Sequence, residues 1–234
     1  MLTLKEGNRG ERKPNLRWST VYESLKRAVL SHQLAPGTKL PEDELATIYS
    51  VSRTVIRTAL QALAHDRLAR LEPNRGAFVA RPSKDEAREV FEARALIEPR
   101  AAALAAERAN PADENRLRLH LLEERRAIEE GRDSDAIMLS ARFHVAIAEI
   151  AQHSILCEFI TELVSRSSLI ISLYWDRHDT ICERHAHHAL LDAIVGHQAE
   201  KASTLMTSHL VDLLSGLDLT LGERTPRRLA DILR

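Results

Sequence analysis

The fold is decided by residues 51–80, which read VSRTVIRTALQALAHDRLARLEPNRGAFVA. Ser52 is a good N-cap residue, and apolar residues recur after it at three- and four-residue intervals, which predicts a helix from 53 to about 65. Two short strands are predicted next, at 68–71 and 77–80, joined by a Pro-Asn-Arg-Gly turn. The stretch is therefore a helix followed directly by a hairpin.

Two further helices are predicted upstream of this stretch. One helical pattern runs from Val21 to Leu30 and ends before the Ala-Pro-Gly turn at 35–37. Pro41 opens the next helix, because proline suits a first helical turn and the acidic residues after it complement the helix dipole. Three helices and a hairpin form a winged helix-turn-helix, which we place at residues 19–82, after a mobile arm at 1–18.

The remaining residues, 83–234, have a helical pattern throughout and predict an all-α bundle, so the whole chain is predicted to be mostly α. Ser83 and Glu86 have the spacing of a capping box at the start of the first helix. Pro99 lies inside that helix and is predicted to kink it. Helices are predicted at about 84–108, 112–130, 134–152, 154–177, 180–196, 198–216 and 226–233.

Charge separates the two parts of the chain. Residues 1–82 hold 14 Lys and Arg against 8 Asp and Glu, and the remainder holds 19 against 26, so the first part is +6 and the second −7. A basic segment of this kind suits a polyanion. The chain begins with polar and basic residues, has no long apolar run and contains only Cys157 and Cys182, so we expect a cytoplasmic protein without a membrane span or disulfides.

The helix that begins after Ser52 has the chemistry of a recognition helix. Arg53 and Arg57 are four residues apart and therefore share one face, opposite the apolar positions. Arginine can bind guanine O6 and N7 through two hydrogen bonds, and the hydroxyls of Ser52 and Thr54 can bind phosphates. An ordinary amphipathic helix with solvated arginines has the same pattern, so the helix alone leaves both interpretations open.

Residues 20–82 closely resemble the winged-helix domain of the GntR family of regulators. The resemblance implies contacts with double-stranded DNA from Ser52, Arg53, Thr54 and Arg57, and a wing tip at Arg75 and Gly76 that reaches the minor groove. Some members carry an arginine where Asp43 stands here, so no contact is assigned to that position. The residues that carry the resemblance are Pro36-Gly37, Leu40, Leu45-Ala46, Val51 to Thr54, Arg57, Ala59-Leu60, Leu63, Leu68 and Arg75 to Val79.

Histidines are concentrated in the second part of the chain, where eight of the eleven lie between residues 144 and 209. Helical periodicity puts His144, His187 and His209 on the apolar faces of three different helices. Three inward imidazoles are unfavourable unless something binds them, and a divalent cation is the usual solution. For each histidine alone, a core residue hydrogen-bonded to the backbone is the alternative.

Residues 84–217 resemble the FadR-type branch of the same family, with its all-α effector domain, on the residues 89–100, Phe143-His144 and His187 to His209. The family pattern implies a metal bound by His144, His187 and His209, with zinc or nickel suited to three imidazoles. The family's aspartate, one turn before the first histidine, is replaced here by Ser140. Three outcomes stay open for the site: three histidines plus water or effector, weaker metal binding, or no metal. The resemblance also implies that Arg94 faces the effector cavity and binds a small carboxylate, whereas spacing alone is equally compatible with a surface ion pair to Glu98.

The sequence thus predicts a homodimeric repressor that binds a palindromic operator and responds to a small organic acid. A metal-dependent enzyme fused to a DNA-binding domain is one alternative, but the chain has no His-Glu-x-x-His motif, glycine-rich phosphate loop or nucleophile elbow. A DNA-binding protein without an effector is the other alternative.

Overall fold

The computed structural model describes residues 18–31, 33–174, 181–219 and 233. The predicted arm at 1–18 lies outside these residues except for Trp18, and the predicted helix at 226–233 lies outside them except for Leu233. The described elements are α1 (Trp18–Leu30), β1 (Lys39–Leu40), α2 (Glu42–Tyr49), α3 (Arg53–His65), β2 (Ala69–Glu72), β3 (Gly76–Val79), α4 (Lys84–Arg108), α5 (Pro111–Glu129), α6 (Asp133–Ile150), α7 (Ser154–Tyr174), α8 (Ile181–Val195) and α9 (Ala199–Ser215).

The elements α1 to β3 form a winged helix-turn-helix, as predicted. The hairpin of β2 and β3 is antiparallel, and β1 adds a third strand on the other side of β3, with Leu40 opposite Ala77. Sequence periodicity did not indicate β1 because two residues are too few to show alternation. The inward residues of the three helices and the wing, including Leu25, Leu45 and Leu60, form one buried core.

The helices α4 to α9 pack into a bundle around α4, and their bounds agree with the predicted ones to within a few residues. The helix α4 continues through Pro99 to Arg108. No helix in the described parts of the chain is long and apolar enough to cross a membrane.

The predicted capping box at the start of α4 is half formed. The Ser83 hydroxyl accepts a hydrogen bond from the Glu86 backbone N–H at 3.1 Å. The Glu86 side chain instead accepts a hydrogen bond from Arg166 of α7 at 2.6 Å. A cation within reach is a stronger partner for a carboxylate than an amide N–H, which explains the difference.

The helix α7 joins the bundle to the winged unit. Leu169 is fully buried and belongs to the core of the winged unit, although it lies in α7. Its neighbour Ser168 donates a hydrogen bond to the Leu30 carbonyl at the end of α1, at 3.3 Å. At the end of α7, the Tyr174 hydroxyl donates to the Pro82 carbonyl at 3.1 Å. The helix α7 therefore provides several of the contacts between the two units, and α6 also contacts α1.

Candidate functional site

The predicted recognition helix is α3, and its start has the expected polarity. The Ser52 hydroxyl caps it by accepting a hydrogen bond from the Val55 N–H at 3.4 Å. The side chains of Arg53 and Arg57 are 68% and 62% exposed, while Ile56 is buried in the domain core. Thr54 is exposed on the first turn. The four predicted DNA-binding residues of α3 thus lie together at one exposed helix end.

Both arginines of α3 are paired with the acidic first turn of α2. Arg57 donates two hydrogen bonds to Glu42, from Nε at 3.1 Å and from Nη2 at 2.8 Å, and Arg53 pairs with Asp43. The hydrogen bond from Arg57 lowers the pKa of Glu42, although slight burial opposes this. From the sequence, Glu42 and Asp43 were interpreted only as the acidic first turn of a helix. A DNA phosphate or base edge at this surface has to compete with them for the guanidinium groups.

The wing tip is formed by the turn between β2 and β3. Gly76 has a φ of +93°, a left-handed conformation that glycine adopts without the steric cost of a Cβ. Arg75 is exposed, donates a hydrogen bond to Glu72 at 2.5 Å and lies over the Phe78 ring. The residues predicted to reach the minor groove therefore lie at an exposed tip.

The three predicted histidines meet in the middle of the helical bundle. His144 of α6, His187 of α8 and His209 of α9 are 3%, 0% and 2% exposed. The Nε2 atom of His209 lies 3.3 Å from Nε2 of His187 and 3.2 Å from Nε2 of His144. Helices distant in sequence therefore point the same ring atom of three side chains at one place. We call these three residues the histidine cluster.

Two buried glutamates hold the outer nitrogens of the cluster. Glu98 of α4 accepts a hydrogen bond from Nδ1 of His144 at 2.6 Å, and both carboxylate oxygens of Glu124 of α5 lie 3.1 Å from Nδ1 of His187. A carboxylate oxygen accepts hydrogen bonds, so these contacts suit the tautomers in which Nδ1 of each ring carries the proton and Nε2 presents its lone pair to the cluster. Glu124 was not identified from the sequence as part of the site. Its position on the apolar face of α5, in line with Leu117 and Leu121, indicates a buried carboxylate.

In these tautomers the cluster has fewer hydrogen-bond donors than its Nε2 acceptors need. The Nε2 atoms of His144 and His187 are both acceptors, and a neutral His209 has only one Nε2 proton to share between them. Burial, reinforced by the neighbouring histidines, lowers the pKa of His209 well below its usual value. Burial also lowers the pKa of His144 despite the adjacent Glu98. Neutral imidazoles are the form that binds metal ions.

The distances within the cluster also suit a metal ion. Zinc–nitrogen bonds of about 2.0–2.1 Å in tetrahedral geometry separate two ligand nitrogens by roughly 3.4 Å. The measured separations from His209, 3.2 and 3.3 Å, are close to this. A carboxylate behind a ligand histidine is a common feature of zinc sites. Among the described residues, these three histidines are the only group of side chains placed to share one metal ion. Ser140 is half-buried one turn before His144.

Arg94 lies next to the cluster in a buried network. Its Nε donates to Oε1 of Glu98 at 2.5 Å and its Nη1 to the hydroxyl of Ser167 in α7 at 3.0 Å. Arg94 is 2% exposed, so the pair with Glu98 is not the surface ion pair that spacing alone allowed. Burial raises the pKa of Glu98, but the charges and hydrogen bonds of Arg94 and His144 together outweigh burial, and the resulting pKa is about 2.

Comparison with known protein families matches two regions of the chain. Residues 18–79 match the model of bacterial regulatory proteins of the gntR family, and residues 89–212 match the FCD domain model. The first region holds the winged unit with the recognition helix. The second holds the helical bundle, including all three histidines of the cluster.

Curated relatives carry regulator names. The chain is 27% identical over 196 residues to the HTH-type transcriptional repressor RspR of Escherichia coli K12, covering 82% of this chain and 85% of RspR. It is 26% identical to the Uxu operon regulator of Haemophilus influenzae, covering 84% of this chain and 80% of that regulator.

Solved structures share the fold. Escherichia coli McbR/YncC superposes with a TM-score of 0.75 at 24% identity, covering 85% of this chain and 95% of that one. A GntR-type regulator from Rhodococcus sp. RHA1 gives the same TM-score, identity and coverage. The FCD match covers about half of the chain, and the gntR match covers the winged unit that precedes it. The chain therefore belongs to the GntR family of bacterial transcriptional regulators, in the group that carries an FCD domain.

Proposed function

We propose that this regulator is a homodimeric repressor that binds a palindromic operator and releases or retains it according to a small organic acid bound beside a metal ion. The observation that carries the proposal is the convergence of three buried histidines in the middle of the bundle. Their ligand nitrogens all lie within 4.8 Å of one another. RspR is named as a transcriptional repressor, which supports repression as the role of this chain.

His144, His187 and His209 would hold the ion, and zinc or nickel suits a site of three imidazoles. When bound, the ion supplies an open coordination position that a carboxylate can occupy. Ser140 contributes no charge there, so Glu98 and Glu124 are the anions that offset the charge of the ion through the histidine rings. Arg94 is a cation beside this site and supports carboxylate recognition if the effector displaces its bond to Glu98.

The bundle offers a physical route from this site to the DNA-binding unit. Glu98 contacts Arg94, and Arg94 contacts Ser167 of α7. The next two residues of α7, Ser168 and Leu169, contact α1 and the core of the winged unit. An effector that alters the Arg94 network can therefore favour one placement of the winged unit, and operator affinity changes by the difference in effector affinity for the two placements.

A dimer brings two recognition helices to two half-sites. Large apolar side chains exposed on the bundle support this assembly, since Ile155 and Phe159 lie one turn apart on α7 and are 55% and 56% exposed. Joining two half-site contacts raises affinity through effective concentration.

The function is tested with the full chain purified without chelator. Metal content is measured by mass spectrometry, bound sequences are selected from a random double-stranded oligonucleotide pool, and affinity for the selected DNA is measured with a panel of small carboxylates. We expect a stoichiometric metal, a palindromic sequence and a carboxylate that changes affinity. A palindrome whose affinity no carboxylate changes, with no metal bound, would instead support the effector-independent alternative.

A further inference from the structure

A cleft lies at the junction of the two units, on the side of α1 that faces the bundle. It has a volume of about 480 Å³, within the range of small-molecule sites. One wall is α1 of the winged unit, and the other walls belong to the bundle. The lining residues that matter here are Arg27, Leu30, His120, Ala141, Arg142 and Val164. We call this space the junction cleft.

The floor of the junction cleft is apolar, and its rim is positively charged. Leu30, Leu117 and Val164 are among the apolar residues of the lining. Arg27 on the α1 wall and Arg142 on the α6 wall are exposed, and within the described parts of the chain neither has an ion-pair partner.

The other charged residues of the cleft leave these two arginines as its available cations. Arg116 is bound to Glu149 at 2.7 Å. Lys26 lies 3.9 Å from Asp66 and donates a hydrogen bond to Tyr22 at 3.1 Å. Glu23 is the remaining lining carboxylate and is exposed on α1. Two unpaired guanidinium groups, one from each unit, thus stand above an apolar floor.

The junction cleft also borders the helix that supports the histidine cluster. His120 lines the cleft, stacks on Phe143 with 6.1 Å between ring centroids, and Phe143 packs on His187 at 4.6 Å. Glu124, which bonds to His187, is one turn after His120 on α5. A ligand in the cleft would therefore touch α1 on one side and the support of the cluster on the other.

We propose that the junction cleft is a second ligand site, separate from the histidine cluster, that binds a small amphipathic carboxylate. The carboxylate pairs with Arg142 and Arg27, and the apolar body of the ligand covers Leu30, Val164 and their neighbours. Because its walls come from both units, an occupied cleft stabilises the arrangement of the two units that closes around the ligand. A ligand in the cleft therefore acts at the contact between the winged unit and the bundle, which transmits the change in operator affinity in the proposed function.

The probe ligand is 4-phenylbutyrate. The control ligand is 4-phenylbutylamine, which has a similar size and the opposite charge. Binding to the full chain is measured by calorimetry. We expect the acid to bind and the amine not to bind. Arg142→Gln should weaken the acid about tenfold through loss of a charged hydrogen bond, and Ala141→Phe should abolish binding by filling the cleft. The control is Arg126→Gln, since Arg126 is an exposed arginine of α5 paired with Glu123 that does not line the cleft.

The same titration separates the cleft from the histidine cluster. Chelator-treated protein should bind the acid as the untreated chain does, because the lining of the cleft includes no member of the histidine cluster. Binding that disappears on metal removal but survives Ala141→Phe would place the acid at the cluster and overturn the proposal. Equal binding of acid and amine, or no binding at millimolar concentration, would overturn it as well. Circular dichroism of each variant confirms that the fold is intact.

Discussion

Glu98 accepts a hydrogen bond from Nδ1 of His144 at 2.6 Å, deep inside the bundle and 46 residues away in sequence. The same carboxylate accepts a hydrogen bond from Arg94. One side chain thereby orients a ring of the histidine cluster and holds the guanidinium nearest to it. A change in either partner alters the charge that Glu98 presents to the other.

Removing a ligand of the metal should lower both metal content and stability. His144→Ala, His187→Ala and His209→Ala should each lose the ion, and the loss removes about 2.7 kcal/mol of stabilisation if free metal stands at 100 times its dissociation constant. Metal analysis and thermal unfolding with and without chelator measure the effect. His185→Ala is the control, because His185 is exposed on α8 and lies outside the cluster. If the full chain takes up no metal on titration, the proposed metal site is wrong.

The carboxylate behind His187 should control metal affinity. Glu124→Gln keeps the shape but removes the negative charge, and we expect metal affinity to fall about 10-fold or more. Glu123→Gln, one residue away, changes an exposed glutamate paired with Arg126 and should leave the affinity unchanged. Competition with a coloured chelator gives both values. Equal affinities for the two variants would mean that Glu124 has only a packing role.

Arg94 should contribute strongly to stability because its partner is buried with it. Arg94→Ala leaves Glu98 as an uncompensated buried charge, and the expected loss is about 3–5 kcal/mol in the free energy of unfolding. Arg88→Ala, which breaks an exposed pair with Asp85 in the same helix, should change stability by about 0.5 kcal/mol or less. Denaturant unfolding of the two variants tests this. Similar small losses would show that Glu98 finds another partner.

The arginines of α3 should control operator affinity without affecting folding. Arg53→Ala or Arg57→Ala should cost roughly 1–3 kcal/mol of specific DNA binding if each makes a bidentate base contact. Their exposure predicts unchanged thermal stability. The control is Arg125→Ala, an exposed arginine of α5 in the bundle. Unchanged DNA affinity in both α3 variants would rule out this helix as the recognition helix.

A carboxylate one turn before His144 should strengthen the metal site. Residues four apart on a helix share a face, so Ser140→Asp places an oxygen ligand beside the His144 ring on α6. We expect tighter metal binding, measured by chelator competition, and a weaker response to carboxylate effectors because the open position is taken. Ser140→Asn, which adds similar bulk without charge, is the matched control. No gain over Ser140→Asn would contradict the position assigned to the ion.

Local structure and the kinds of side chain at each site follow from the sequence alone. Helix spacing, the Ser52 cap and the turn before Gly76 depend on neighbours a few residues apart, so the winged unit and the helices of the bundle could be read along the chain. The inward faces of the three histidines followed from the same periodicity, and all three are buried.

Which of these side chains come into contact depends on how the helices pack together. Glu124 reaches His187 across 63 residues, and Arg94 reaches Ser167 across 73, distances in sequence over which periodicity carries no information. The two-residue strand β1 forms only because Gly76–Val79 offers it an unpaired edge. The acids of α2 pair with the arginines of α3 because the turn between the helices brings them together. Partner choice for a charged side chain depends on packing between elements, and this packing exists only once the chain is folded.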